Sequence, residues 1–260
     1  MSTPKNELGN LLRSRRRALS PVEHGITDTS RRKTPGLRRE EVAELAGISV
    51  DWYTRLEQGR DVTPSPGTLA ALARALRLND AETEHMKSLS LRAQPARFER
   101  ESVPETVRAL LAQLNVPAYV TGRRWDVLAW NAHAAELITD FSRFEEEERN
   151  ILFYMLTDME VRATFVGWEN EARRMVSQFR PMYDAFCDDP AFIRLVAALT
   201  DRSPEFRAWW KTHEVRGPRA GEKHLQHPRL GNIAVEYVTF QASQDPALKL
   251  VLYTQARPIA

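Results

Sequence analysis

Residues 38–60 read Arg38-Arg39-Glu40-Glu41-Val42-Ala43-Glu44-Leu45-Ala46-Gly47-Ile48-Ser49-Val50-Asp51-Trp52-Tyr53-Thr54-Arg55-Leu56-Glu57-Gln58-Gly59-Arg60. Val42, Leu45 and Ala46 follow the i, i+3, i+4 spacing of one apolar helix face, which predicts a short helix. Gly47 follows this face directly, where a tight turn between helices needs a residue that adopts positive φ easily. The first half of the stretch therefore predicts a helix that ends in a sharp turn.

A second short helix is predicted after the turn. Ser49 is placed to cap it by accepting an early backbone N–H, and Tyr53 and Leu56 supply its inward face. Two such helices form a helix-turn-helix, whose second helix enters the DNA major groove. A generic helical hairpin has the same apolar spacing. DNA binding is favoured because arginines occupy positions where a duplex backbone would lie: Arg38, Arg39, Arg55 and Arg60.

The flanking sequence completes a domain of five helices. A basic helix is predicted over residues 7–19 with Arg16 and its neighbouring arginines pointing outward, and later helices are opened by Pro66 and by Asn79-Asp80. Over residues 5–93 the chain resembles the Xre/lambda-repressor-like family of bacterial DNA-binding domains. That resemblance implies an all-α helix-turn-helix domain, here assigned to residues 1–93.

The resemblance also implies which side chains meet DNA bases. Val50, Asp51 and Arg55 match the positions that reach base edges. Arg55 would fork onto a guanine, Asp51 would accept from cytosine N4, and Val50 would touch a thymine methyl.

Phosphate contacts are expected at both ends of the motif, where Arg39 and Arg60 match the family's backbone-contacting positions. Trp52 either stacks on sugar-phosphate or packs back onto its own domain, and it is included among the contacts. The predicted DNA-contacting residues are Arg39, Ser49, Val50, Asp51, Trp52, Thr54, Arg55 and Arg60.

Length and composition favour two domains in a reducing compartment. A chain of 260 residues fits two domains of ordinary size, and no run of about 18 apolar residues predicts a membrane span. The N-terminal residues lack the apolar core of a secretion signal, and the single Cys187 cannot form an intrachain disulfide. We therefore expect a cytoplasmic protein.

Charge is distributed unevenly along the chain. Residues 1–100 hold 18 Lys and Arg against 13 Asp and Glu, whereas the remaining residues hold 19 against 22. A basic first part followed by a slightly acidic second part suits a polyanion binder with a separate sensing or assembly module.

The second part reads as an α+β domain. After a charged linker at residues 94–104, residues 119–130 predict a β-hairpin, and Asn131 looks like the cap of a helix. Helical patterns cover roughly 147–200 and 204–211. Two strand patterns, 232–240 and 248–254, close the chain, so hairpins at both ends of a domain at residues 105–260 are expected to share one sheet.

Aromatic residues are concentrated in this second part, which holds five of the six tryptophans. They form either an ordinary core or the lining of a cavity. From Asn131 through Trp168-Glu169 and Trp209-Trp210 to Tyr237, the sequence is similar to the ligand-binding domain of MmyB-like transcription regulators, over about 105–256. The similarity implies a PAS-like fold with an apolar pocket for a fatty-acid-like effector. The predicted lining is Tyr119, Trp130, Trp168, Phe179 and Tyr237.

An enzyme is disfavoured. His213, His224 and His227 with Glu214 have no zinc-binding spacing, and Cys187 has no histidine nearby in sequence. The chain contains no Gly-x-Ser-x-Gly, P-loop or dinucleotide motif. Neither a catalytic residue, nor a metal site, nor a cofactor is expected.

These observations predict an all-α five-helix helix-turn-helix domain followed by an α+β PAS-like domain. The expected function is sequence-specific regulation of transcription, with double-stranded DNA carrying an inverted-repeat operator as partner and a homodimer as the binding form. No membrane partner is expected. The second domain either senses a small apolar ligand or only dimerises or docks a protein partner.

Overall fold

The fold is that of a computed structural model, which describes residues 3–26, 36–60, 62–91, 97–217, 221–243, 245–254 and 256–259. The chain divides into two compact units. The first comprises residues 1–97, 177–193 and 209–217, and the second comprises 98–176, 194–208 and 218–260. Two segments from the later part of the chain thus belong to the first unit. Within the linker expected at 94–104, residues 94–96 lie outside the described residues.

The N-terminal part of the first unit contains the five predicted helices, which are confirmed. They are α1 (Pro4–Ala18), α2 (Arg39–Ala46), α3 (Val50–Glu57), α4 (Pro66–Ala75) and α5 (Asp80–Leu91), and a 3₁₀ turn lies at Val22–His24. Their inward faces form one apolar core, whose fully buried side chains include Leu12, Leu37, Val42, Tyr53, Leu72 and Met86.

Local capping explains why the helices begin where they do. Ser49 Oγ accepts from Trp52 N at 3.2 Å, and Ser65 Oγ accepts from Thr68 N at 3.2 Å. At α5, Asn79 Oδ1 accepts from the backbone of Glu82, whose carboxylate accepts from Asn79 N in return. This reciprocal arrangement is a capping box, so the predicted start of α5 is confirmed.

One predicted core residue of α2 is wrong. Leu45 is 45% exposed, whereas Val42, Ala43 and Ala46 are buried. Successive residues of a helix rotate by about 100°, so the face centred between Val42, Ala43 and Ala46 leaves Leu45 to one side. Apolar spacing alone does not distinguish this face from the one that includes Leu45.

Helices of the second part precede and interrupt a sheet. They are α6 (Glu105–Gln113), α7 (Ala132–Leu137), α8 (Ile151–Thr157), α9 (Met159–Thr164), α10 (Trp168–Ala185), α11 (Pro190–Arg202) and α12 (Pro204–Trp210). A short 3₁₀ turn covers Phe141–Arg143. The predicted helical stretch 147–200 is thus divided into four helices.

The second unit is built on an antiparallel sheet, which confirms the expected α+β class. Its strands are β1 (Ala118–Thr121), β2 (Val127–Trp130), β3 (Gly221–His227), β4 (Gly231–Gln241), β5 (Lys249–Tyr253) and β6 (Arg257–Pro258). The order is β2-β1-β5-β4-β3, and β6 pairs with β4. Strand β3 was not predicted, because it is an edge strand in which only Leu225 and His227 are buried.

The predicted hairpin at residues 119–130 is confirmed as β1 and β2, with Tyr119 opposite Trp130. Asn131 caps α7, as predicted, since its Oδ1 accepts from Ala134 N at 2.9 Å. The same oxygen accepts from Ala118 N, and its Nδ2 donates to Val116 O at 2.8 Å. This one side chain therefore joins the hairpin to the segment that follows α6.

The later segments of the first unit contribute their own aromatic packing. Phe192 stacks on Phe179 at 6.0 Å and on Phe186 at 4.9 Å between ring centroids. Tyr183 meets Trp210 edge to face at 5.1 Å. Within the first unit, residues 177–193 and 209–217 are thereby packed against each other.

Candidate nucleic-acid interface and ligand-binding unit

The turn of the helix-turn-helix has the geometry that its sequence predicts. Gly47 ends α2 with φ of 65°, and Ile48 N donates to Ala43 O at 3.0 Å. A Cβ on Gly9 of α1 would lie 2.5 Å from the carbonyl oxygen of Glu57, so α1 crosses the end of α3 at backbone distance. Together these constraints fix α3 against the domain.

The outer face of α3 presents polar groups that suit base recognition. Asp51 and Arg55 are exposed and pair with each other, with Arg55 Nε 3.0 Å from Asp51 Oδ2. Val50, in the first turn, is 39% exposed. A donor fork, a carboxylate acceptor and an apolar group thus share the surface that a recognition helix turns to the major groove.

The other predicted DNA-contacting residues differ in exposure. Ser49 and Arg60 are exposed, although Ser49 Oγ already accepts from Trp52 N as the helix cap. Thr54 is half-buried. Trp52 is also half-buried and packs against the core, so packing onto its own domain is the arrangement seen in this structure.

Behind this face, buried Glu57 binds three arginines. Glu57, Arg13, Arg16 and Arg39 are here called the Glu57 cluster. Glu57 is 1% exposed and accepts from Arg16 Nε at 2.8 Å and from Arg39 Nη2 at 2.8 Å. Arg13 donates to the Glu57 carbonyl at 2.9 Å. Burial raises the pKa of the Glu57 carboxyl, but hydrogen bonds from Arg16 and Arg39 outweigh it and leave the pKa lowered.

The Glu57 cluster corrects one prediction and refines another. Arg16, expected to point outward, is only 7% exposed, because its guanidinium is needed to neutralise a carboxylate inside the unit. Arg39, predicted to contact phosphate, is half-buried and tied to Glu57 through both Nε and Nη2. Its guanidinium is thus held in a fixed orientation.

In the second unit, a groove of about 730 Å³ lies beside β2. This volume is within the usual range for small-molecule sites. Its lining includes apolar side chains from α6 and β2 and the basic side chains Arg108, His133 and Arg149. The full lining is Arg108, Leu111, Ala112, Leu114, Asn115, Leu128, Ala129, Trp130, Asn131, Ala132, His133, Glu146 and Arg149.

Five rings, here called the aromatic row, continue from this groove across the sheet. Phe141 contacts Trp130 at 5.6 Å and Tyr119 at 6.1 Å between centroids. Tyr253 lies 6.2 Å from Tyr119 and 6.0 Å from Tyr237. Burial raises the pKa of the Tyr119 and Tyr253 hydroxyls above the ordinary value, in keeping with an interior position.

Lys223 closes the far end of the aromatic row. Its side chain is 10% exposed, and Nζ lies 4.6 Å from the ring centroid of Tyr237 and 3.3 Å from the hydroxyl of Tyr253. Nζ is also 3.2 Å from Glu171 Oε1 on α10. Burial raises the pKa of Glu171, but Lys223 and Arg174 outweigh it and the pKa is lowered.

Of the five predicted lining residues, the structure brings Tyr119, Trp130 and Tyr237 together in the aromatic row. Trp168 begins α10 and is placed differently, with Nε1 donating to Met155 O at 2.8 Å and Arg162 4.1 Å above its ring. Phe179 belongs to the first unit. A ligand in the groove would contact Trp130 directly.

Comparison with known families agrees with both parts of this description. A helix-turn-helix domain family matches residues 7–86, and the family of the MmyB-like transcription regulator ligand binding domain matches residues 103–258. The chain belongs to the MmyB-like transcription regulators. A comparison with curated proteins gives no match. This MmyB-like regulator is therefore a helix-turn-helix DNA-binding transcription regulator with a ligand-binding domain.

Histidines that were weighed as metal ligands have other partners in this MmyB-like regulator. His224 Nε2 lies 2.6 Å from Glu222, and His227 Nε2 lies 3.1 Å from the Glu136 carbonyl. Among the residues that the structure describes, no group of three or more His, Cys, Asp or Glu side chains is placed to hold a metal ion. In the same part of the chain, every helix is too short or too polar to cross a membrane.

Several important residues were missed by sequence reasoning. Arg16 continues the i, i+4 line of Leu8 and Leu12, and this spacing was an available signal for an inward position. Lys223 had no such signal, because its buried partners come from α10 and β5. Only folding brings that site together.

Proposed function

We propose that this MmyB-like regulator reads a specific operator sequence through α3. The exposed Asp51–Arg55 pair carries the proposal, because it offers an acceptor and a donor fork on the outer face of the second helix of the motif. Arginine suits guanine O6 and N7, and aspartate suits cytosine N4. Val50 adds an apolar contact for a thymine methyl, and Arg39 and Arg60 are proposed phosphate contacts.

The proposed binding form is a homodimer on an inverted repeat. One helix-turn-helix contacts a short half-site, and specific binding by this class commonly combines two half-sites related by twofold symmetry. We assign dimerisation to residues 105–260. Because operator DNA is the partner, we place the action of the protein in the cytoplasm and propose no enzymatic activity.

The ligand-binding domain is proposed to sense a small, apolar, fatty-acid-like molecule in the groove beside β2. Leu111, Leu128 and Trp130 offer an apolar surface, whereas Arg108 and Arg149 offer positive charge for a carboxylate. An acyl chain with an acidic head group satisfies both. Tyr119 and Tyr237 of the aromatic row, together with Trp168, are further proposed contacts.

The second candidate function is a domain that only dimerises or docks a protein partner. Native mass spectrometry of freshly purified full-length protein distinguishes the two, because it reports the dimer mass and any retained ligand together. Selection of duplexes from a random-sequence pool with the same protein then tests operator reading. Recovery of unrelated sequences would contradict specific recognition.

A further inference from the structure

One helix belongs to both units. The boundary between them falls inside α10, between Val176 and Ser177. Its first half carries Glu171, the partner of Lys223, and its second half carries Asp184, thirteen residues later.

The second half of α10 is held in the first unit by a buried hydrogen bond to α5. His85 Nε2 lies 2.8 Å from Asp184 Oδ2, and both side chains are almost fully buried. Arg180 lies 3.8 Å from the other carboxylate oxygen and sits 3.3 Å over the ring of Trp210. Asp184 therefore contacts α5 of the helix-turn-helix domain directly, so a movement of Asp184 acts on that domain.

A proline lies in the second half of α10. Pro181 has no N–H, so the carbonyl of Ser177, four residues earlier, loses its partner within the helix. Arg216 N donates to that carbonyl at 3.3 Å. Gln178 Nε2 donates to Gly217 O at 2.9 Å in the same place. The interrupted hydrogen bond thus lies in the part of α10 that belongs to the first unit, where Arg216 and Gly217 contact it.

The first half of α10 is connected to the groove by contacts already described. Lys223, which pairs with Glu171, touches Tyr253, and the aromatic row leads from Tyr253 to Trp130 at the groove. Coupling between distant sites needs such contiguous packing and also an element with two arrangements. We assign the second requirement to the Ser177–Pro181 joint, because a helix bends most easily where its hydrogen bonding is interrupted.

We propose that α10 carries the ligand signal to the DNA-binding domain, bending at the Ser177–Pro181 joint and acting through the Asp184–His85 hydrogen bond. This inference rests on the proposed function and adds the route by which the ligand signal reaches the DNA-binding domain. His85 and Asp184 are positioning residues, since neither faces DNA or the groove. By linkage, DNA binding must then alter the ligand-binding unit, whatever the ligand is.

This reciprocity allows a test with DNA alone. Hydrogen exchange of the full chain is measured by mass spectrometry with and without the selected operator duplex. In the wild type we expect DNA to change exchange in Gly221–Tyr253 as well as in the first unit. In His85→Gln and in Asp184→Asn, which keeps the side-chain shape, the change should be confined to the first unit.

His24→Gln is the matched control, because the ring of His24 bonds to the Ser20 carbonyl rather than to Asp184. It should behave as the wild type. Pro181→Ala tests the joint, since its new N–H competes for the Ser177 carbonyl, and exchange in a peptide covering residues 213–217 should become faster. A wild type in which DNA leaves Gly221–Tyr253 unchanged would overturn the proposed route.

The outcomes separate this inference from the proposed function. If selection yields no preferred duplex, specific recognition fails, and the exchange experiment proceeds with a nonspecific duplex at low salt, where phosphate contacts dominate binding. If a preferred duplex is found but His85→Gln transmits the change as the wild type does, the operator proposal stands and the α10 route is wrong.

Discussion

Arg16 and Glu57 form a buried two-pronged ion pair, with Arg16 Nε 2.8 Å from Glu57 Oε2 and Nη2 3.0 Å from Oε1. It joins α1 to α3, and Arg39 adds α2 to the same carboxylate. One side chain thus holds three helices of the DNA-binding domain in register.

Glu57→Ala should destabilise the first unit strongly. Removing one partner of a buried ion pair typically costs about 3–5 kcal/mol, because the other charge is left without compensation. Scanning calorimetry should show a lower melting temperature for the transition of this unit. Glu40→Ala, at an exposed position on α2, is the matched control and should melt like the wild type. Equal melting of all three proteins would show that the cluster contributes little.

Arg55→Ala should reduce operator affinity by about 1–3 kcal/mol and relax selectivity at one base pair, because a bidentate contact to guanine is lost. Arg60→Ala should weaken operator and scrambled duplexes alike and reduce the salt dependence of binding. Fluorescence anisotropy over a salt series measures both. An Arg55→Ala protein with unaltered base preference would remove Arg55 from base reading.

Asp51 provides a control for this substitution. Because it pairs with Arg55 in the free protein, part of the effect of Arg55→Ala could arise from an unpaired Asp51. Asp51→Asn removes that charge and leaves Arg55 in place. The double variant should resemble Arg55→Ala at the guanine position, and a restored preference would point to the aspartate instead.

Full-length protein should protect two half-sites related by inversion, with centres about one helical turn, ~10 bp, or a multiple apart. Footprinting measures the spacing, and native mass spectrometry of the complex gives the stoichiometry. A duplex with one half-site scrambled is the control and should bind much more weakly. A single asymmetric footprint on the intact operator would contradict the dimer.

Saturated fatty acids from octanoate to palmitate should raise the melting temperature and change operator affinity. Occupancy stabilises a site by about 2.7 kcal/mol at a hundredfold excess over Kd. Arg108→Gln, at the groove, should weaken binding of the acids while the matching alcohols are unaffected. Arg229→Gln, exposed in the turn between β3 and β4, is the control. Without any effect of acids on the wild type, the docking alternative takes precedence.

His213 should make the first unit sensitive to mild acid. Burial, and after it nearby Arg180, lower the pKa of His213 from 6.5 to about 4, although Asp184 acts in the opposite direction. Between these values the unfolded chain binds the proton and the folded chain does not, so the free energy of unfolding falls as pH decreases. His213→Asn, which tolerates the positive φ of 52°, should flatten this dependence in urea titrations. The same slope in both proteins would assign the acid sensitivity elsewhere.

Sequence reasoning succeeded where a local signal determines the structure. The five helices, the hairpin at 119–130 and the cap at Asn131 all depend on short spacings and on a residue at a helix end. Buried charges were not foreseen, since Arg16, Lys223 and Asp184 acquire their partners from elements 41, 52 and 99 residues away in sequence. In the sequence, an exposed arginine and an interior arginine cannot be distinguished until the position of the acidic partner is known.

The ligand site was only partly accessible for the same reason. Aromatic content predicted either an ordinary core or the lining of a cavity, and strand pairing brings Tyr119 opposite Trp130 as the hairpin requires. Phe179 was predicted to belong to the lining as one of the aromatic residues of the second part. Its neighbours in space are Phe192 and Trp210. Contacts of this kind depend on the path of α10 through the fold and not on the spacing of residues in the sequence.

The discontinuous first unit also affects how the protein is made. Residues 177–193 and 209–217 are synthesised long after residue 97, so the unit lacks part of its packing until about residue 217 has left the ribosome. At ~5–20 residues per second, that delay is roughly 6–24 s. During this interval the nascent chain presents His85 without Asp184. A polypeptide released early from translation would therefore lack these two segments of the first unit.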